Sequence, residues 1–209
     1  MTNRRMCLQL AATLSWGLSP LETLAQSLAA GAPTLSLDDA AKARLEQLEQ
    51  QCGGQLGLRI VQTSSGRTWG WREDERFPMC SSFKLLLVAQ ALRLAADGQL
   101  RLTEFIRYGN SDLVAWSPIT RKQAMRGGMQ VGALCAATLA TSDNTAANLL
   151  IARVGGTAAF TAFMRSLGDE VTRLDRTEPA MNAPDTDTHQ DTSSPRAMAQ
   201  SLQRLLLGN

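Results

Sequence analysis

A serine and a lysine separated by two residues stand at the start of the most apolar run of the chain, in MCSSFK at positions 79–84. Residues three apart on a helix share a face, so the Lys84 amine can lie beside the Ser81 hydroxyl. A serine becomes a nucleophile when a base takes its proton, and a lysine can be that base when burial or nearby cations favour its neutral form. Free N–H groups of a first helical turn would favour an oxyanion there. The same pattern also fits a capping serine with a surface lysine.

A second polar motif, Ser142-Asp143-Asn144, lies between two apolar helical patterns. All three residue types favour helix caps, which is one interpretation of the motif. The other interpretation is catalytic: Ser142 relays a proton to a leaving nitrogen. Asn144 then offers its amide to a substrate carbonyl and to Lys84.

A third motif, Glu178-Pro-Ala-Met-Asn182, lies within a polar segment at 175–195 that has little helix or strand signal. Pro179 restricts Glu178 to a non-helical conformation. Glu178 and Asn182 could hold one water between them, and a carboxylate with an ordered water can hydrolyse an ester as a general base. A solvated loop acid is the alternative. A loop this long inside a compact domain is usually functional.

The composition limits the classes of protein to consider. The chain has 209 residues, 44% of them hydrophobic and 19% charged, which predicts one globular domain. A formal net charge of +2 gives no electrostatic reason to expect nucleic acid as a partner. His189 is the only histidine, so a zinc site is not expected, and no cofactor is predicted.

The N-terminus predicts an export signal over residues 1–25. The basic MTNRR precedes an apolar stretch too short to span a bilayer, and Thr23 and Ala25 are small residues before a plausible cleavage point. A buried N-terminal helix is the alternative. The signal implies a secreted, periplasmic protein with no membrane attachment after cleavage. Cys52, Cys80 and Cys135 remain in the mature chain, an odd number for an oxidising compartment.

Periodicity predicts a helix, a hairpin and then a series of helices. The predicted elements are a helix over 34–52 with Ser36 as a cap, strands within 55–62 and 67–74, a helix over 81–97, and glycine-punctuated helices after that, the last capped by Ser194. No strand is predicted from residue 100 to 209. A two-stranded hairpin is not a stable sheet by itself, so another element should complete it.

Together, the three motifs resemble those of the class A serine β-lactamases. The resemblance runs from about residue 40 to the end, through ERFPMCSSFK, SDNTAANLL and VTRLDRTEPAMN. It implies an α+β fold of the serine β-lactamase and penicillin-binding protein type. Residues 26–209 would form a partial catalytic domain, with a helix and hairpin of the α/β lobe at 34–76 and a helical lobe at 77–209.

The resemblance also implies roles for the matching residues. Ser81 would be the acylated nucleophile, activated by Lys84 and Glu178, and which of these two takes its proton is left open. Glu178 and Asn182 would activate the deacylating water. Ser142 would protonate the lactam nitrogen.

Further family features fall on matching positions. Asn144 would contact the acylamide side chain of the substrate, and Trp116, in LVAWSP, matches the aromatic wall of the cleft. Residues 173–191 would form the omega loop. A bidentate pair between Arg176 and Asp191 would tie its neck.

Two departures from the family pattern qualify these expectations. The family's Lys-Thr/Ser-Gly strand, which grips the substrate carboxylate and supplies the second oxyanion donor, has no match after Asn182, and the chain stops at Asn209 within its last predicted helix. We therefore expect a truncated or partial sequence with an incomplete sheet and little hydrolytic activity by itself.

The second departure is a cysteine next to the nucleophile. Cys80 resembles the carbapenem-hydrolysing subgroup, whose equivalent cysteine forms a disulfide with one near the missing strand; a small buried thiol is the alternative. Cys135 lies in an apolar helical run and is interpreted as a core thiol, and Cys52 has no assigned place.

The predicted function is hydrolysis of the β-lactam amide bond through a serine acyl-enzyme by a monomeric enzyme. Its partners would be a small β-lactam and water, with no nucleic acid. A penicillin-binding D-Ala-D-Ala peptidase is one alternative, and a catalytically dead truncated product is another. Glu178 and Asn182 argue against the peptidase, because such peptidases lack a dedicated deacylating water.

Overall fold

A computed structural model describes residues 37–183 and 189–208. Within those residues the helices are α1 Asp39–Cys52, α2 Phe83–Ala96, α3 Thr120–Gln123, α4 Val131–Thr141, α5 Asn144–Arg153, α6 Gly156–Ser166 and α7 Pro195–Leu207. The strands are β1 Leu58–Val61, β2 Thr68–Trp71, β3 Phe77–Pro78, β4 Phe105–Arg107, β5 Gly128–Gln130 and β6 Thr192–Ser193. The predicted signal at 1–25 and the predicted cap Ser36 lie outside the described residues.

Helix α1 and the β1–β2 hairpin form one unit, as the periodicity predicts. The Asp38 side chain caps α1 by accepting the Ala41 N–H at 2.7 Å, and Gly53 ends the helix at φ 66°. The hairpin pairs antiparallel from Leu58 opposite Trp71 to Val61 opposite Thr68. Helix and hairpin are therefore where the sequence predicts them, with the N-terminal part of the predicted helix outside the described residues.

A glutamate on α1 fastens the helix to the end of the hairpin. Glu49 accepts hydrogen bonds from the Arg72 side chain at 2.8 Å and from the Leu56 backbone N–H at 2.8 Å. The Arg72 hydrogen bond, followed by that from Leu56, lowers the pKa of Glu49 to about 2. The carboxylate is consequently charged at neutral pH and holds strand β2 against the last turns of α1.

The core surrounds α2, whose apolar run is buried on most faces. Phe83, Leu86, Leu87 and Ala91 have no exposed surface, and α2 packs against α4, α5 and α6. Phe83 meets Phe160 of α6 edge to face, with ring centroids 6.3 Å apart. Burial of these large side chains favours folding by about 1.5–3 kcal/mol each and fixes the position of the residues that precede α2.

The prediction that no strand follows residue 100 is wrong. Strand β4 pairs with β5, and β6 pairs with β3 through Phe77 opposite Ser193 and Pro78 opposite Thr192. These strands have two or three residues, too few for an alternating pattern, and their pairing depends on distant segments. The β3–β6 pair joins the segment before Ser81 to the end of the polar loop.

Helix α7 begins as predicted and ends differently. The Ser194 side chain accepts the Ala197 N–H, and Pro195 is the first helical residue. The helix ends at Leu207, where Gly208 takes a left-handed conformation, so the expected stop within a helix is wrong. Helix α7 packs over β1, and the described residues add no third strand to the hairpin.

Among the described residues, no single helix has the length and apolarity of a membrane span. Helices α5 and α6 reach that length and apolarity only when they are taken together, and the pair is bent by 76°.

Candidate active site

The predicted nucleophile lies in a tight turn just before the central helix. Ser81 is the middle residue of a 3₁₀ turn, Cys80–Ser82, so the α-helix begins two residues later than the predicted residue 81. Cys80 has φ 44°, an uncommon conformation for a residue with a side chain. The Ser81 side chain is solvent-exposed, and its backbone N–H donates to no other described residue. The turn thus presents a hydroxyl and a free N–H to an incoming substrate.

Lys84 occupies the buried centre of the site. Its side chain is 3% exposed, and its Nζ lies 3.1 Å from Ser81 Oγ and 2.9 Å from Ser142 Oγ. The Ser142 carbonyl at 2.9 Å and Asn144 Oδ1 at 2.5 Å complete its hydrogen bonds. The predicted contact between the lysine amine and the serine hydroxyl is present.

The partners of Lys84 limit how its protons are used. A carbonyl and an amide oxygen can only accept, so two N–H groups of Lys84 are directed at Ser142 O and Asn144 Oδ1. The amide orientation of Asn144 is set because its Nδ2 donates to the Ala115 carbonyl at 3.0 Å. The remaining position on Nζ is shared by Ser81 Oγ, Ser142 Oγ and Glu178 Oε1, which lie 2.9–3.1 Å away. It can donate a third hydrogen in the ammonium form or accept the Ser81 proton in the amine form.

The Ser142-Asp143-Asn144 motif combines both sequence interpretations. Asp143 is the N-cap of α5 and is fully buried; its carboxylate accepts from the N–H groups of Ala146, Ile119 and Thr120 and from the Thr120 hydroxyl. Ser142 has φ 55° and directs Oγ to within 3.0 Å of Ser81 Oγ. The cap therefore holds the flanking Ser142 and Asn144 in place.

Glu178 brings a buried carboxylate to the same point. It is 3% exposed, and its Oε2 accepts from Asn182 Nδ2 at 2.6 Å. Its Oε1 lies 3.1 Å from Lys84 Nζ but accepts no well-aligned hydrogen bond from a described residue. Oε1 is thus the oxygen of this carboxylate with capacity for an incoming O–H donor. Asn182 thus lies directly beside Glu178, and the water that the two were predicted to hold stays a prediction.

Asn148, which the sequence analysis did not single out, fixes the backbone of Glu178. Its Nδ2 donates to the Glu178 carbonyl at 2.8 Å, and its Oδ1 accepts the Glu178 N–H at 2.9 Å. Asn148 follows Asn144 by four residues on α5, so both lie on one helix face. Two asparagines at this spacing on an otherwise apolar helix are a signal that could have identified it.

The neck of the polar loop is closed by Asp191. Arg176 Nε donates to Asp191 Oδ2 at 2.6 Å, while Oδ1 accepts the backbone N–H groups of Asp175 and Arg176. The predicted ion pair is present, but it is not bidentate, because the second oxygen binds the backbone instead of the guanidinium. Asp191 is 1% exposed, so these contacts are shielded from water.

Another buried carboxylate, that of Asp169, joins the segment after α6 to β6 and α7. Asp169 accepts from the backbone N–H of Val171 and from both the N–H and the hydroxyl of Thr172, and Ser201 on α7 donates to it at 2.9 Å. The Thr172 hydroxyl also lies 2.7 Å from that of Ser193 on β6. Burial raises the pKa of Asp169, but these hydrogen bonds outweigh burial and hold it below its usual value.

Trp116 lies at the rim of the site. It is 67% exposed, has φ 57°, and donates through Nε1 to the Thr141 carbonyl at 2.9 Å. Its own carbonyl accepts the Asn144 N–H at 2.9 Å. The ring is thus fastened next to the Ser142 loop and open to solvent, and its role as a wall of the cleft stays a prediction.

The cysteines differ in accessibility. Cys52 and Cys80 are exposed, Cys135 is buried, and no two of these three are joined in the structure. Burial raises the pKa of the Cys135 thiol, in keeping with a core thiol. The exposed Cys80 is not the small buried thiol that the sequence analysis left open.

The described residues contain no group of three or more His, Cys, Asp or Glu side chains that could hold a metal ion.

Comparisons with known proteins show what the chain is similar to. Residues 40–209 match the family model described as "Beta-lactamase enzyme family". "Beta-lactamase L2" of Stenotrophomonas maltophilia is 44% identical over 211 residues, covering 100% of this chain and 69% of the relative. "Carbapenem-hydrolyzing beta-lactamase KPC" of Klebsiella oxytoca is 44% identical over 202 residues, covering 97% of this chain and 65% of the relative.

Solved structures agree in fold. "Ancestral (GNCA) Beta-lactamase class A" matches with a TM-score of 0.77 and 51% identity over 80% of this chain and 64% of that chain. A β-lactamase from Desulfarculus baarsii matches with a TM-score of 0.77 and 49% identity over 82% of this chain and 64% of that chain. The predicted α+β fold is confirmed, and the chain spans about two thirds of the length of these relatives.

Proposed function

The chain belongs to the class A serine β-lactamases, and from this membership we propose that it carries the acid–base chemistry for opening the β-lactam amide bond through a serine acyl-enzyme. In a bacterium this reaction gives resistance to β-lactam antibiotics. The observation that supports the proposal most is the position of Lys84 Nζ, within 3.1 Å of Ser81 Oγ, Ser142 Oγ and Glu178 Oε1.

Acylation would proceed from the exposed Ser81 hydroxyl. Ser81 Oγ attacks the lactam carbonyl carbon, and its proton passes to Lys84 directly or to Glu178 through a water. The Ser81 N–H stabilises the oxyanion that forms. Ser142 Oγ, 2.9 Å from Lys84 Nζ, then delivers a proton to the lactam nitrogen as the C–N bond breaks. The hydrogen bonds of Lys84 fit either base.

Deacylation would depend on the polar loop. Glu178 Oε1 removes a proton from a water that Asn182 helps to hold, and the resulting hydroxide attacks the ester carbon. Asn148 holds the Glu178 backbone from both sides, so the carboxylate stays aligned during this step. The ester bond breaks, and the proton that Glu178 took from the water passes to the Ser81 oxygen, which restores both groups.

The chain supplies fewer groups for binding the substrate than for acid–base chemistry. Asn144 would contact the substrate acylamide group, and Trp116 would cover one side of the cleft. The sequence after Asn182 contains no lysine and so no Lys-Thr/Ser-Gly motif to grip the substrate carboxylate and supply a second oxyanion donor.

The substrate subgroup and the location are also proposals. Cys80 directly precedes Ser81, its thiol is exposed, and the related KPC enzyme is named for carbapenem hydrolysis, so we propose carbapenems among the substrates. Comparison of imipenem and benzylpenicillin deacylation rates would test this. The N-terminal signal pattern supports a periplasmic location, and we propose a monomeric enzyme acting on small molecules.

The acylation proposal can be tested by intact-protein mass spectrometry. Incubating the purified chain with benzylpenicillin should add one penicillin mass, and proteolytic mapping should place it on Ser81. Ser81→Ala should abolish the adduct, while the matched control Ser82→Ala, one residue away in the same turn, should keep it. An adduct that persists in Ser81→Ala would refute the assignment.

A penicillin-binding peptidase is the second candidate, because it also uses a serine and a lysine separated by two residues. The buried Glu178–Asn182 pair favours the lactamase, since a peptidase has no use for a dedicated deacylating carboxylate. A transient adduct at Ser81 supports the lactamase, and a lasting one supports the peptidase.

A further inference from the structure

The positive charge of the chain is concentrated in one segment outside the active site. Between residues 101 and 130 there are five Lys or Arg and two Asp or Glu, a net charge of +3, whereas the rest of the chain has 16 and 17, a net charge of −1. Both acids of the segment are engaged: Glu104 pairs with Arg153, and Asp112 accepts the Gly109 N–H. The net charge of +2 for the whole chain therefore conceals a cationic region.

Six side chains of this region form what we call the basic ribbon patch. It consists of Phe105, Arg107, Arg121, Lys122, Met125 and Arg126, all exposed. On β4, Phe105 and Arg107 alternate with the half-buried Ile106, so both project from the outer face. Arg107 is paired with Gly128 on β5, and Arg126 precedes Gly128 by two residues.

The other members of the basic ribbon patch lie next to Gly127 and Gly128. The Phe105 ring lies directly over Gly128, because a Cβ at that position would come 2.7 Å from its Cε1. The chain runs from α3 through a 3₁₀ turn, Ala124–Arg126, into Gly127 and β5. Helix α3, which carries Arg121 and Lys122, contacts both the 3₁₀ turn and β5, so these two cations lie on a segment that adjoins Met125 and Arg126.

The four cations of the patch are available to an external partner. None of the side chains of Arg107, Arg121, Lys122 and Arg126 makes an ion pair or hydrogen bond with another residue of the described ranges 37–183 and 189–208. By contrast, Arg153, Arg173 and Arg196 elsewhere on the surface are each matched to a carboxylate. Unpaired like charges kept close together repel one another, so an anionic surface placed against them would be attracted.

Two apolar side chains project among these cations. Met125 is 94% exposed, the highest value among the large hydrophobic residues that the structure describes, and Phe105 is 53% exposed. Met125 projects from the turn that precedes β5. Cations surrounding protruding apolar side chains are the combination with which peripheral proteins bind anionic bilayers, where the charges attract the head groups and the apolar groups enter the interface.

We propose that the basic ribbon patch docks this protein reversibly on anionic phospholipid membranes. The whole-chain charge and the short N-terminal apolar stretch gave no reason to expect membrane contact after signal cleavage, because an average charge hides its segregation. Each cation near an anionic surface favours binding about fivefold, so four cations and one inserted methionine give a weak, salt-sensitive attachment. This inference does not depend on the proposed catalytic function.

Vesicle co-sedimentation tests the proposal with the purified chain. Vesicles of equal parts phosphatidylglycerol and phosphatidylcholine should retain the protein at low salt, and pure phosphatidylcholine vesicles should not. The variant R121Q/K122Q/R126Q should bind the anionic vesicles at least tenfold less. The matched control R44Q/R67Q/R93Q removes three exposed cations outside the patch and should bind like the unmodified chain. Circular dichroism checks that every variant is folded.

A second variant separates the two components of the patch. Met125→Gln keeps every charge and should weaken binding a few-fold, because it removes the inserted group. Equal binding to both kinds of vesicle, or equal losses in the patch and control triple variants, would overturn the proposal. Retention by immobilised poly-glutamate together with no vesicle binding would also overturn it and would indicate an acidic protein partner instead.

Discussion

Two regions differ: the helical side, made of α2, α5 and the polar loop, buries the charged groups around Ser81 with many partners, whereas the strand side, made of the β1–β2 hairpin and α7, largely buries the Arg59–Glu73 ion pair and leaves Ile60 and Leu206 exposed. On the helical side, the Lys84 and Asp143 side chains each have four hydrogen bonds. On the strand side, Ile60 is 46% exposed and Leu206 is 74% exposed.

The two sides relate to different parts of the chemistry, proton transfer and substrate binding. The groups that move protons are preorganised by the helical side, because caps and paired amides fix them without help from the sheet. The proton-transfer groups can therefore be complete where substrate binding is not. Clefts of about 290 Å³ beside Gly57, Phe77 and Met198 and of about 270 Å³ between β1 and α7 lie on the strand side, and one of about 440 Å³ lies beside Thr161 and Arg173 on the helical side, so cleft volume does not distinguish the two sides.

The largest expected effect comes from the cap that supports the helical side. Asp143→Ala leaves the N–H groups of Ile119, Thr120 and Ala146 buried without an acceptor, so we expect the free energy of unfolding to fall by about 3–5 kcal/mol. Urea unfolding measures this. The control Asp97→Ala removes an exposed acid and should cost less than about 1 kcal/mol. Similar losses in both variants would mean that the cap does not organise this side.

A smaller effect is expected when the clamp on Glu178 is removed. Asn148→Ala should slow deacylation about a hundredfold, because a small displacement of the catalytic carboxylate is costly, while acylation changes much less. Stopped-flow mass analysis of the penicillin adduct separates the two rates. The exposed Asn110→Ala serves as the control and should change neither. An equal slowing of both steps would show that Asn148 supports the fold in general instead of the loop.

Acidification should weaken the buried Asp169 cluster. Its pKa is lowered in the folded state, so its contribution to stability is present above the unfolded value of about 3.9 and is lost as the pH falls through the lower folded value. Asp169→Asn should cost about 1–2 kcal/mol at neutral pH and flatten the loss of stability below about pH 4. Thermal unfolding across pH measures this, with the fully exposed Asp39→Asn as the control. If Asp169→Asn lost stability below about pH 4 as steeply as the unmodified chain, the assignment would be contradicted.

The smallest effect is expected on the strand side. Leu206→Ser should change the free energy of unfolding by less than about 0.5 kcal/mol, because the side chain is already mostly in water. Leu150→Ala, at a fully buried leucine on α5, should cost about 2–5 kcal/mol in the same assay. Comparable values for the two leucines would remove the distinction between the sides.

Features encoded by a short stretch of sequence were predicted, and features that depend on contacts between distant segments were not. Ser81, Lys84, Ser142 and Glu178 belong to short motifs whose order is specific, and the structure brings all four together. Helix α7 was predicted from its cap and its proline. Strands β3 and β6 have two residues each, and their pairing joins segments more than one hundred residues apart, which leaves no local pattern.

The missed site residues have a related cause. Asn148 lies in mid-helix, where its four-residue spacing from Asn144 is the local signal, and its contact with the distant Glu178 shows what it does. The neck pair was predicted by spacing, but its single side-chain hydrogen bond was not, because the backbone N–H groups that occupy the second oxygen of Asp191 are visible only in the folded chain.

The central claim is that the helical side supplies both a nucleophile and a separate deacylating carboxylate. Time-resolved intact mass spectrometry of the unmodified chain and Glu178→Gln with benzylpenicillin tests it most directly. We predict an adduct on Ser81 that decays in the unmodified chain and persists in Glu178→Gln. Adducts of equal lifetime in the two proteins, or no adduct in either, would contradict the claim.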